Sequence, residues 1–434
     1  MKPICRGTPL FDPLAGSPDP STGRLEAFET PSHLAAIAAG ARYRVCVIVG
    51  TRAEAIKLAP VIRELERHRR AVHTTVVTTA PHREMLTQAL ESFDITPQVD
   101  LGLVAPRGLL ADFTARALQA MSAVFSERRP DVVVVQGDNS TVLAASLAAH
   151  YLGIPVAHVE AGVRSHLLRN PFPEELNRRM AAVIADLHFA PTPHARENLL
   201  REGVSDAQIV VTGNTIIDAL RLTQRRPVFD ESRLNLIPWM KRRVVAVTMH
   251  RRENLGEPLA NVCAALAELV TMHGDLHVVF PVHLNPRVRD VVYDELEGLP
   301  RIDLVDPLQY GDMVELLRRS AFTLTDSGTV VEECAALAHP VLVLRRQTDR
   351  PEAVDAGFAR VVGTETLRVV EAATRLLDDD RELSRMREGD QPYGDGFAAV
   401  RIVQALMSRM PRHAGGVPVA EGPAILPPRR AVER

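Results

Sequence analysis

The stretch DVVVVQGDNST, residues 131–141, decides the fold. Its four consecutive valines make an almost wholly apolar run, which predicts a strand over Asp131–Val135 that is covered on both faces. A polar turn follows, and a helix is predicted over Thr141–Tyr151. A doubly covered strand that leads directly into a helix is typical of a parallel α/β sheet.

The same alternation of strand and helix runs outward in both directions and restarts after Pro227. In the first series, strands are predicted over Arg44–Val49, Thr74–Thr79 and Pro155–Val159, and helices over Glu54–Arg67, Met85–Phe93 and Leu110–Phe125. In the second series, strands are predicted over Val244–Val247, His277–Phe280, Ile302–Leu304, Phe322–Leu324 and Val341–Leu344, with helices over Pro258–Met272, Pro286–Leu296, Asp312–Arg319 and Val330–Leu337. Two successive series predict an α/β protein of two Rossmann-like, doubly wound domains, with ligands bound in the cleft between them.

The chain of 434 residues is long enough for two such domains and two appendages. We expect residues 43–222 to form the first domain and residues 223–395 to form the second. Residues 1–42 are predicted to be an extension that is mobile in part, because Gly7–Gly23 is rich in Pro, Gly, Ser and Asp. Residues 412–434 are rich in proline and are predicted to be a disordered tail.

The composition argues against several classes of protein. Lys and Arg number 51 and Asp and Glu number 54, and this net charge of −3 is too balanced for a nucleic-acid coat or a polybasic membrane anchor. No apolar run approaches the ~20 residues that span a bilayer. The four cysteines, Cys5, Cys46, Cys263 and Cys334, are scattered, so we expect free thiols and a cytoplasmic location.

Familiar catalytic motifs are missing from the sequence. It contains no HExxH, no GxSxG and no cluster of Cys and His, so neither a metal nor a serine nucleophile is expected. It also lacks a YxxxK pair combined with a GxxGxxG loop, which argues against the short-chain, NAD-using sugar epimerases.

Two cationic side chains follow the first predicted strand. The turn GTRAEAIK, residues 50–57, places Arg52 and Lys57 at the start of a helix, where free backbone N–H groups already attract anions. This arrangement favours a phosphate site. The alternative is a surface arginine and a lysine whose long side chain extends to solvent.

Acidic side chains follow two neighbouring strands of the first series. Asp138 comes after the run of valines, and Glu160 comes after Pro155–Val159. Because both lie at carboxyl ends of strands, they are expected to face one cleft, where paired carboxylates raise a pKa and suit general acid–base work. Glu174, in PFPEELNR, is expected at a helix start. The alternatives are an N-cap for Asp138 and a simple helix-dipole charge for Glu174.

The second series carries groups that suit a diphosphate. His250, in TMHRREN, follows a strand and is a candidate for diphosphate binding or for protonation of a leaving group. In TDSGTVVEE, Ser327 and Gly328 open a helix and present free N–H groups to a phosphate. Glu333 is a candidate for binding a ribose, and Arg350 adds another cation.

Taken together and in this order, the motifs resemble the non-hydrolysing UDP-N-acetylglucosamine 2-epimerase family. The resemblance covers about Arg44 to Met407 and rests on GTRAEAIKLAP, APHREML, VQGDNST, HVEAGVRS, PFPEELNR, TGNTIIDAL, HRRENLG, PVHLNP, LTDSG, RPEAV and PYGDG. It implies two Rossmann-like domains of the glycosyltransferase-B type, and a C-terminal helix within residues 396–410 that returns to the first domain. It also implies a homodimer.

The resemblance further implies 2-epimerisation of a UDP-aminosugar without a cofactor. UDP is eliminated with loss of the C2 proton, a glycal forms, and UDP adds back after reprotonation on the other face. The implied catalytic residues are Asp138, Glu160, Glu174 and His250, and the implied UDP-binding residues are Arg52, Lys57, Met313, Ser327, Gly328, Thr329, Glu333 and Arg350. Among these, Glu333 matches the ribose-binding acid.

Several positions depart from the family's pattern. Ala53 replaces the usual proline of GTRPEAIK, Thr329 replaces the second glycine of DSGG, and Met313 aligns with the aromatic residue that stacks on uracil. Pro81 and the segment Leu103–Ala111 differ in a region that contributes to an activating site in bacterial members. The alternatives to epimerisation are net release of UDP, transfer of the sugar to another nucleophile, and a nucleotide-sugar sensor without turnover.

Overall fold

The computed structural model describes residues 42–79, 83–103, 109–223 and 229–409. The predicted tail, Pro81, most of the loop at Leu103–Ala111 and all but the last residue of the predicted N-terminal extension lie outside the described residues.

The first half of the described chain alternates strictly between strands and helices. Its elements are β1 (Tyr43–Val49), α1 (Arg52–Arg67), β2 (Val72–Thr78), α2 (Arg83–Glu91), β3 (Val99–Asp100), α3 (Leu110–Arg128), β4 (Val132–Gln136), α4 (Ser140–Tyr151), β5 (Val156–Val159), α5 (Glu174–Ile184), β6 (Leu187–Ala190), α6 (Pro193–Arg201), β7 (Ile209–Val211) and α7 (Thr215–Leu222). Within the described residues the strands form one sheet in the order β3-β2-β1-β4-β5-β6-β7, and every pair is parallel.

The second half repeats this arrangement. Its elements are β8 (Arg243–Thr248), α8 (Glu257–Met272), β9 (Leu276–Pro281), α9 (Pro286–Leu296), β10 (Ile302–Val305), α10 (Tyr310–Arg319), β11 (Phe322–Thr325), α11 (Gly328–Ala336), β12 (Val341–Val343), α12 (Pro351–Asp355), β13 (Ala359–Val361), α13 (Thr366–Asp378) and α14 (Asp380–Arg385), followed by α15 (Ala398–Arg409). The described strands form a second parallel sheet in the order β10-β9-β8-β11-β12-β13.

Both sheets have the strand order of the Rossmann fold, as predicted. In each, the chain runs outward to one edge and then returns to continue on the other side of its first strand, which produces a switch point between β1 and β4 and another between β8 and β11. Ligands of such sheets bind at the carboxyl ends of the strands beside the switch point. The division of the chain into domains at residue 222 stays a prediction.

The four valines of β4 show why the sheet is covered on both faces. Each is fully buried. Val132 and Val134 belong to the hydrophobic cluster that includes Leu58 of α1, whereas Val133 and Val135 belong to the cluster built on α3 and α4. Because alternate residues of a strand point to opposite faces, a continuous apolar run is required when helices pack on both sides.

The last helix returns to the first half of the molecule, as predicted. It packs against α1 and α7. The carboxylate of Asp218 in α7 accepts hydrogen bonds from the backbone N–H groups of Ala398 and Ala399 at 3.2 and 2.9 Å, and so caps the helix. A hydrophobic cluster also runs through both halves, from Leu58 in α1 to Val331 in α11.

Four strands were not identified from the sequence. β3, β7 and β13 are two or three residues long and lie at sheet edges, where an apolar run is not required. β6 is fully buried, but His188 interrupts its apolar pattern. None of the described helices is long and apolar enough to cross a membrane.

Candidate active site

A cleft with a volume of ≈ 360 Å³ lies at the carboxyl ends of the two sheets. Turns after β1, β4 and β5 contribute to one wall, and turns after β8 and β11 contribute to the other. Its lining includes eight of the residues singled out from the sequence, namely Lys57, Asp138, Glu160, Glu174, His250, Ser327, Thr329 and Arg350. The two switch points therefore bring both series of motifs into one site.

Asp138 is not the cap of the helix that follows it. The side chain of Asn139 caps α4 and accepts hydrogen bonds from the N–H groups of Thr141 and Val142. The interpretation of Asp138 as an N-cap is therefore wrong, because the neighbouring side chain takes this role. Asp138 instead accepts from the guanidinium of Arg178 in α5, and it lines the cleft.

Glu160 follows β5 with its backbone in the left-handed region, at a φ of 64°. A residue with a side chain adopts this conformation at an energetic cost, and such costs concentrate at functional sites. Its carboxylate accepts from the side chains of Lys57, Gln136 at 2.8 Å and Arg350 at 3.0 Å. Burial raises the pKa of Glu160, and the carboxylate of Glu332 adds to the rise while Lys57 and Arg350 oppose it.

Glu174 is the first residue of α5 and lies half-buried in the cleft. Burial raises the pKa of Glu174, and the negative charge of Asp138 adds to the rise, whereas Arg251 and Arg252 lower it. A carboxyl group in this situation holds its proton to a higher pH than an exposed one, which suits a general acid.

His250 is held in place by Asp326, a residue of TDSGTVVEE for which the sequence predicts no role. The buried carboxylate of Asp326 accepts from the backbone N–H groups of His250 and Arg251 at 3.1 and 2.9 Å, and from the side chain of Asn254 at 3.0 Å. Its oxygen also lies 3.3 Å from Nδ1 of His250. On the other side, the imidazole of His250 stacks on that of His283, with ring centroids 5.7 Å apart.

The N-terminus of α11 faces the cleft. Ser327 is its N-cap and accepts from the N–H of Val330 at 3.5 Å. Gly328, the first residue of the helix, lies against Arg350, because an added Cβ would stand 3.4 Å from the guanidinium carbon. Thr329 contributes to the lining. Free N–H groups and a guanidinium at one point form an arrangement that binds anions.

Arg350 is flanked by Asp349, a buried acid that the sequence analysis missed. Burial would raise the pKa of Asp349, but the guanidinium groups of Arg350, Arg251, Arg345 and Arg178 hold it well below its usual value. Asp349 thus stays ionised and anchors cations from both halves, with Oδ2 at 3.1 Å from Arg350 and 3.8 Å from Arg178.

Four of the predicted residues do not belong to the described lining of this cleft: Arg52, Met313, Gly328 and Glu333. Arg52 donates to the carbonyl of Leu308 across the two halves at 2.6 Å. Glu333 is buried in α11, where burial raises its pKa to about 7 while Tyr310 and Arg52 oppose the rise. Met313 is partly buried and packs on the cluster that runs through both halves.

Glu54 is a lining residue for which a sequence signal existed. Thr51 and Glu54 have the spacing of a capping box, and the structure contains it. The Glu54 carboxylate accepts from the N–H groups of Gly50 and Thr51 at 2.5 and 2.7 Å, and from the Asn139 side chain at 2.6 Å. It therefore ties the turn after β1 to the turn that carries Asp138.

The described part of the chain contains three cysteines and no cluster of metal ligands. No group of three or more His, Cys, Asp or Glu side chains is placed there to hold a metal ion. Cys46, Cys263 and Cys334 are free and buried. Burial raises the pKa of Cys46 and of Cys263 to about 12, so these thiols stay protonated at neutral pH.

Comparison with known proteins matches this architecture to one family. The family model described as UDP-N-acetylglucosamine 2-epimerase matches residues 63–407. The chain belongs to the UDP-N-acetylglucosamine 2-epimerase family. It is 45% identical to the enzyme of that name from Escherichia coli K12, over 84% of this chain and 98% of that one, and 44% identical to the enzyme from Bacillus subtilis 168, over 84% and 95%. Enzymes of this family are isomerases, and so is this chain.

Solved structures agree. The Neisseria meningitidis UDP-GlcNAc 2-epimerase, solved with UDP-GlcNAc bound, is 40% identical and superposes with a TM-score of 0.78 over 84% of this chain and 99% of that one. The glycotransferase of kitacinnamycin, at 14% identity, superposes with a TM-score of 0.57 over 86% and 100% of the two chains, which shows the shared fold alone. The fold is thus of the glycosyltransferase-B type.

Proposed function

We propose that this protein interconverts UDP-GlcNAc and UDP-ManNAc, or close analogues, by eliminating UDP and adding it back. The observation that supports this most is the composition of the cleft. Three carboxyl groups, Asp138, Glu160 and Glu174, lie in one cleft together with cations and a helix N-terminus. Membership of the family and the bound UDP-GlcNAc of the Neisseria relative support the choice of substrate.

The reaction requires two bond changes at neighbouring sugar carbons. A carboxylate removes the C2 proton, the C2–H electrons form the C1=C2 bond, and UDP departs with the C1–O electron pair. Because the hydrogen at C2 is only weakly acidic, the C1–O bond to UDP breaks ahead of the C2–H bond. A proton is then delivered to the opposite face of C2, where the C1=C2 electrons form the new C2–H bond. A UDP oxygen donates an electron pair to C1 and restores the C1–O bond, so the overall change is inversion at C2.

The charges of the cleft fit this sequence of steps. Lys57, Arg350 and the N-terminus of α11 stabilise the charge that develops on the departing diphosphate, with His250 beside them. Two of the three carboxyl groups exchange the proton. The raised pKa values of Glu160 and Glu174 favour them for this task, while Asp138 is held by Arg178. Glu333 and Arg52 lie apart from the described lining and are assigned to the ribose and the diphosphate.

Deuterium exchange tests the proposal. Incubation of the enzyme with UDP-GlcNAc in deuterium oxide is expected to give both epimers, with deuterium at C2. Free UDP that accumulates without the second epimer would show net release instead. Tight binding without deuterium incorporation would show a sensor.

The homodimer is proposed as well, with a second copy covering an apolar face of α5. Leu176, Met180 and Val183 are spaced along one face of that helix, and they are exposed by 43%, 38% and 87%. Tyr151, at the end of the neighbouring α4, is 63% exposed. A contiguous apolar face on one helix can pair with its own copy about a two-fold axis. A cytoplasmic location is proposed from the buried free thiols.

A further inference from the structure

Four buried charges form a closed ring between the two halves of the molecule. Lys57 of α1 and Glu160 come from the first half, and Glu332 of α11 and Arg350 come from the second. The Lys57 ammonium contacts Glu160 and lies 2.7 Å from Oε2 of Glu332. The Arg350 guanidinium lies 3.0 Å from Oε1 of Glu160 and 2.5 Å from Oε1 of Glu332. No side chain of the ring is more than 8% exposed.

The two carboxylates of the ring share the same two cations but differ in access. Glu160 lines the cleft. Glu332 is not part of the described lining, and its side chain is 1% exposed. The cations therefore divide their attraction between a carboxylate that can reach a ligand and one that lies behind it.

We propose that Glu332 is a positioning residue for Glu160. It acts on Glu160 through the two cations that they share, Lys57 and Arg350. The inference rests on the proposed acid–base role of Glu160. Without the Glu332 charge, Glu160 would be the one carboxylate that Lys57 and Arg350 share in the ring, and their undivided attraction would hold it as a tightly bound, weakly basic ion pair. Glu332 offsets this attraction, so that Glu160 is oriented by the cations and remains basic.

Other titratable groups lie beside the ring and interact electrostatically with its members. Asp349 contacts Arg350 at 3.1 Å. Burial raises the pKa of Tyr393, and the Glu332 carboxylate adds to the rise. Burial raises the pKa of Glu333 to about 7, to which Glu332 also adds. For Glu160, burial raises the pKa and the Glu332 charge again adds to it. Loss of the Glu332 charge should therefore lower the pKa of Glu160.

The variant Glu332→Gln tests this role. We expect kcat to fall by roughly tenfold or more, part of the ~10²–10⁴-fold that general acid–base catalysis contributes. We expect the acidic limb of the kcat–pH profile to move to lower pH. The Kd for UDP should not rise, because the ring gains net positive charge. The matched control is Glu315→Gln. It neutralises a buried carboxylate of α10 that lies outside the described lining of the cleft and pairs with Arg319 at a distance of 2.6 Å. This variant should leave both kcat and the kcat–pH profile unchanged.

Further variants separate positioning from folding. In the background of Glu160→Gln, the change Glu332→Gln should cause no further loss of deuterium exchange at C2, because the residue it acts through is gone. Glu332→Asp keeps the charge, so the acidic limb of the kcat–pH profile should stay in place while kcat falls. This variant replaces Glu332→Gln in the test if Glu332→Gln does not fold.

The proposal is overturned if kcat is unchanged in these single variants. It is also overturned if kcat and UDP affinity fall together in Glu332→Gln while the acidic limb of its kcat–pH profile does not move. Absence of exchange in the wild-type enzyme would instead overturn the proposed function.

Discussion

Arg178 donates from α5 to the carboxylate of Asp138, and so links the turn after β4 to the helix that begins at Glu174. The side chain of Arg178 is 5% exposed and that of Asp138 is 29% exposed. One side of the Asp138 carboxylate is therefore fixed by a buried cation, while the other is open to the cleft. This is the arrangement expected of an acid that must hold one orientation beside a substrate.

Replacement of Asp138 by asparagine should sharply reduce turnover. This carboxylate is expected to orient the substrate or to exchange the proton at C2. Its loss should therefore lower kcat by ~10²–10⁴-fold with the fold intact. Asp131→Asn is a matched control at the opposite end of the same strand, where Asp131 accepts from the backbone N–H of Arg44 at 2.7 Å. It should leave turnover per folded molecule unchanged. Deuterium incorporation at C2 measures both variants, and full activity of Asp138→Asn would remove Asp138 from the mechanism.

Glu333 should make stability depend on pH. Burial raises its pKa from 4.5 to about 7, so the folded protein binds more protons than the unfolded chain in that window. The contribution of Glu333 to the free energy of unfolding is present below pH 4.5 and is lost as the pH rises to 7, by at most about 3 kcal/mol. The free energy of unfolding of Glu333→Gln, measured against that of the wild type, should therefore rise from pH 5 to pH 8.

Urea unfolding of both proteins at the two pH values measures this difference. The control variant Glu315→Gln alters a buried carboxylate of the neighbouring helix α10, which forms an ion pair with Arg319. An equal separation of the wild-type and Glu333→Gln midpoints at pH 5 and pH 8 would show that Glu333 is ionised in the folded protein at both.

A charge on the apolar face of α5 should break the proposed dimer. Val183 is 87% exposed, so Val183→Glu places a charge in solvent in the monomer but in an apolar contact in the dimer. We expect sedimentation velocity to show a dimer for the wild type and a monomer for the variant. Leu236→Glu is the control, because Leu236 is 82% exposed outside α5. A wild-type monomer, or a variant that remains dimeric, would remove this face from the assembly.

The strand-end acids and the two sheets followed from local sequence patterns. Continuous apolar runs marked the central strands, and a polar turn after each run marked the carboxyl ends where Asp138 and Glu160 lie. This reasoning works because the described strands of each sheet all pair in parallel, so that their carboxyl ends, and the turns that follow them, lie on the same side of the sheet. The position of Glu54 is predictable in the same way from its capping-box spacing with Thr51.

The partners of these acids were not accessible from the sequence. Arg178 reaches Asp138 from 40 residues away, and Arg350 reaches Glu160 from 190 residues away. The first contact depends on how α5 packs beside the turn after β4, and the second on how the two halves meet, and no local spacing encodes either. Asn139 shows that even the roles of adjacent residues can be undecided by the sequence. Asp138 and Asn139 are equally good N-caps by residue type, and only the backbone of the turn decides that Asn139 takes the role.

Positional isotope exchange tests the central claim, which is that the bond between C1 and the bridging oxygen breaks during epimerisation. UDP-GlcNAc is prepared with ¹⁸O in the bridge between C1 and the β-phosphorus, and the label is followed by phosphorus NMR as the second epimer forms. If UDP leaves and adds back, rotation of its β-phosphate in the cleft should move ¹⁸O into non-bridging positions in both epimers. Formation of the second epimer with all of the ¹⁸O still in the bridge would contradict the account.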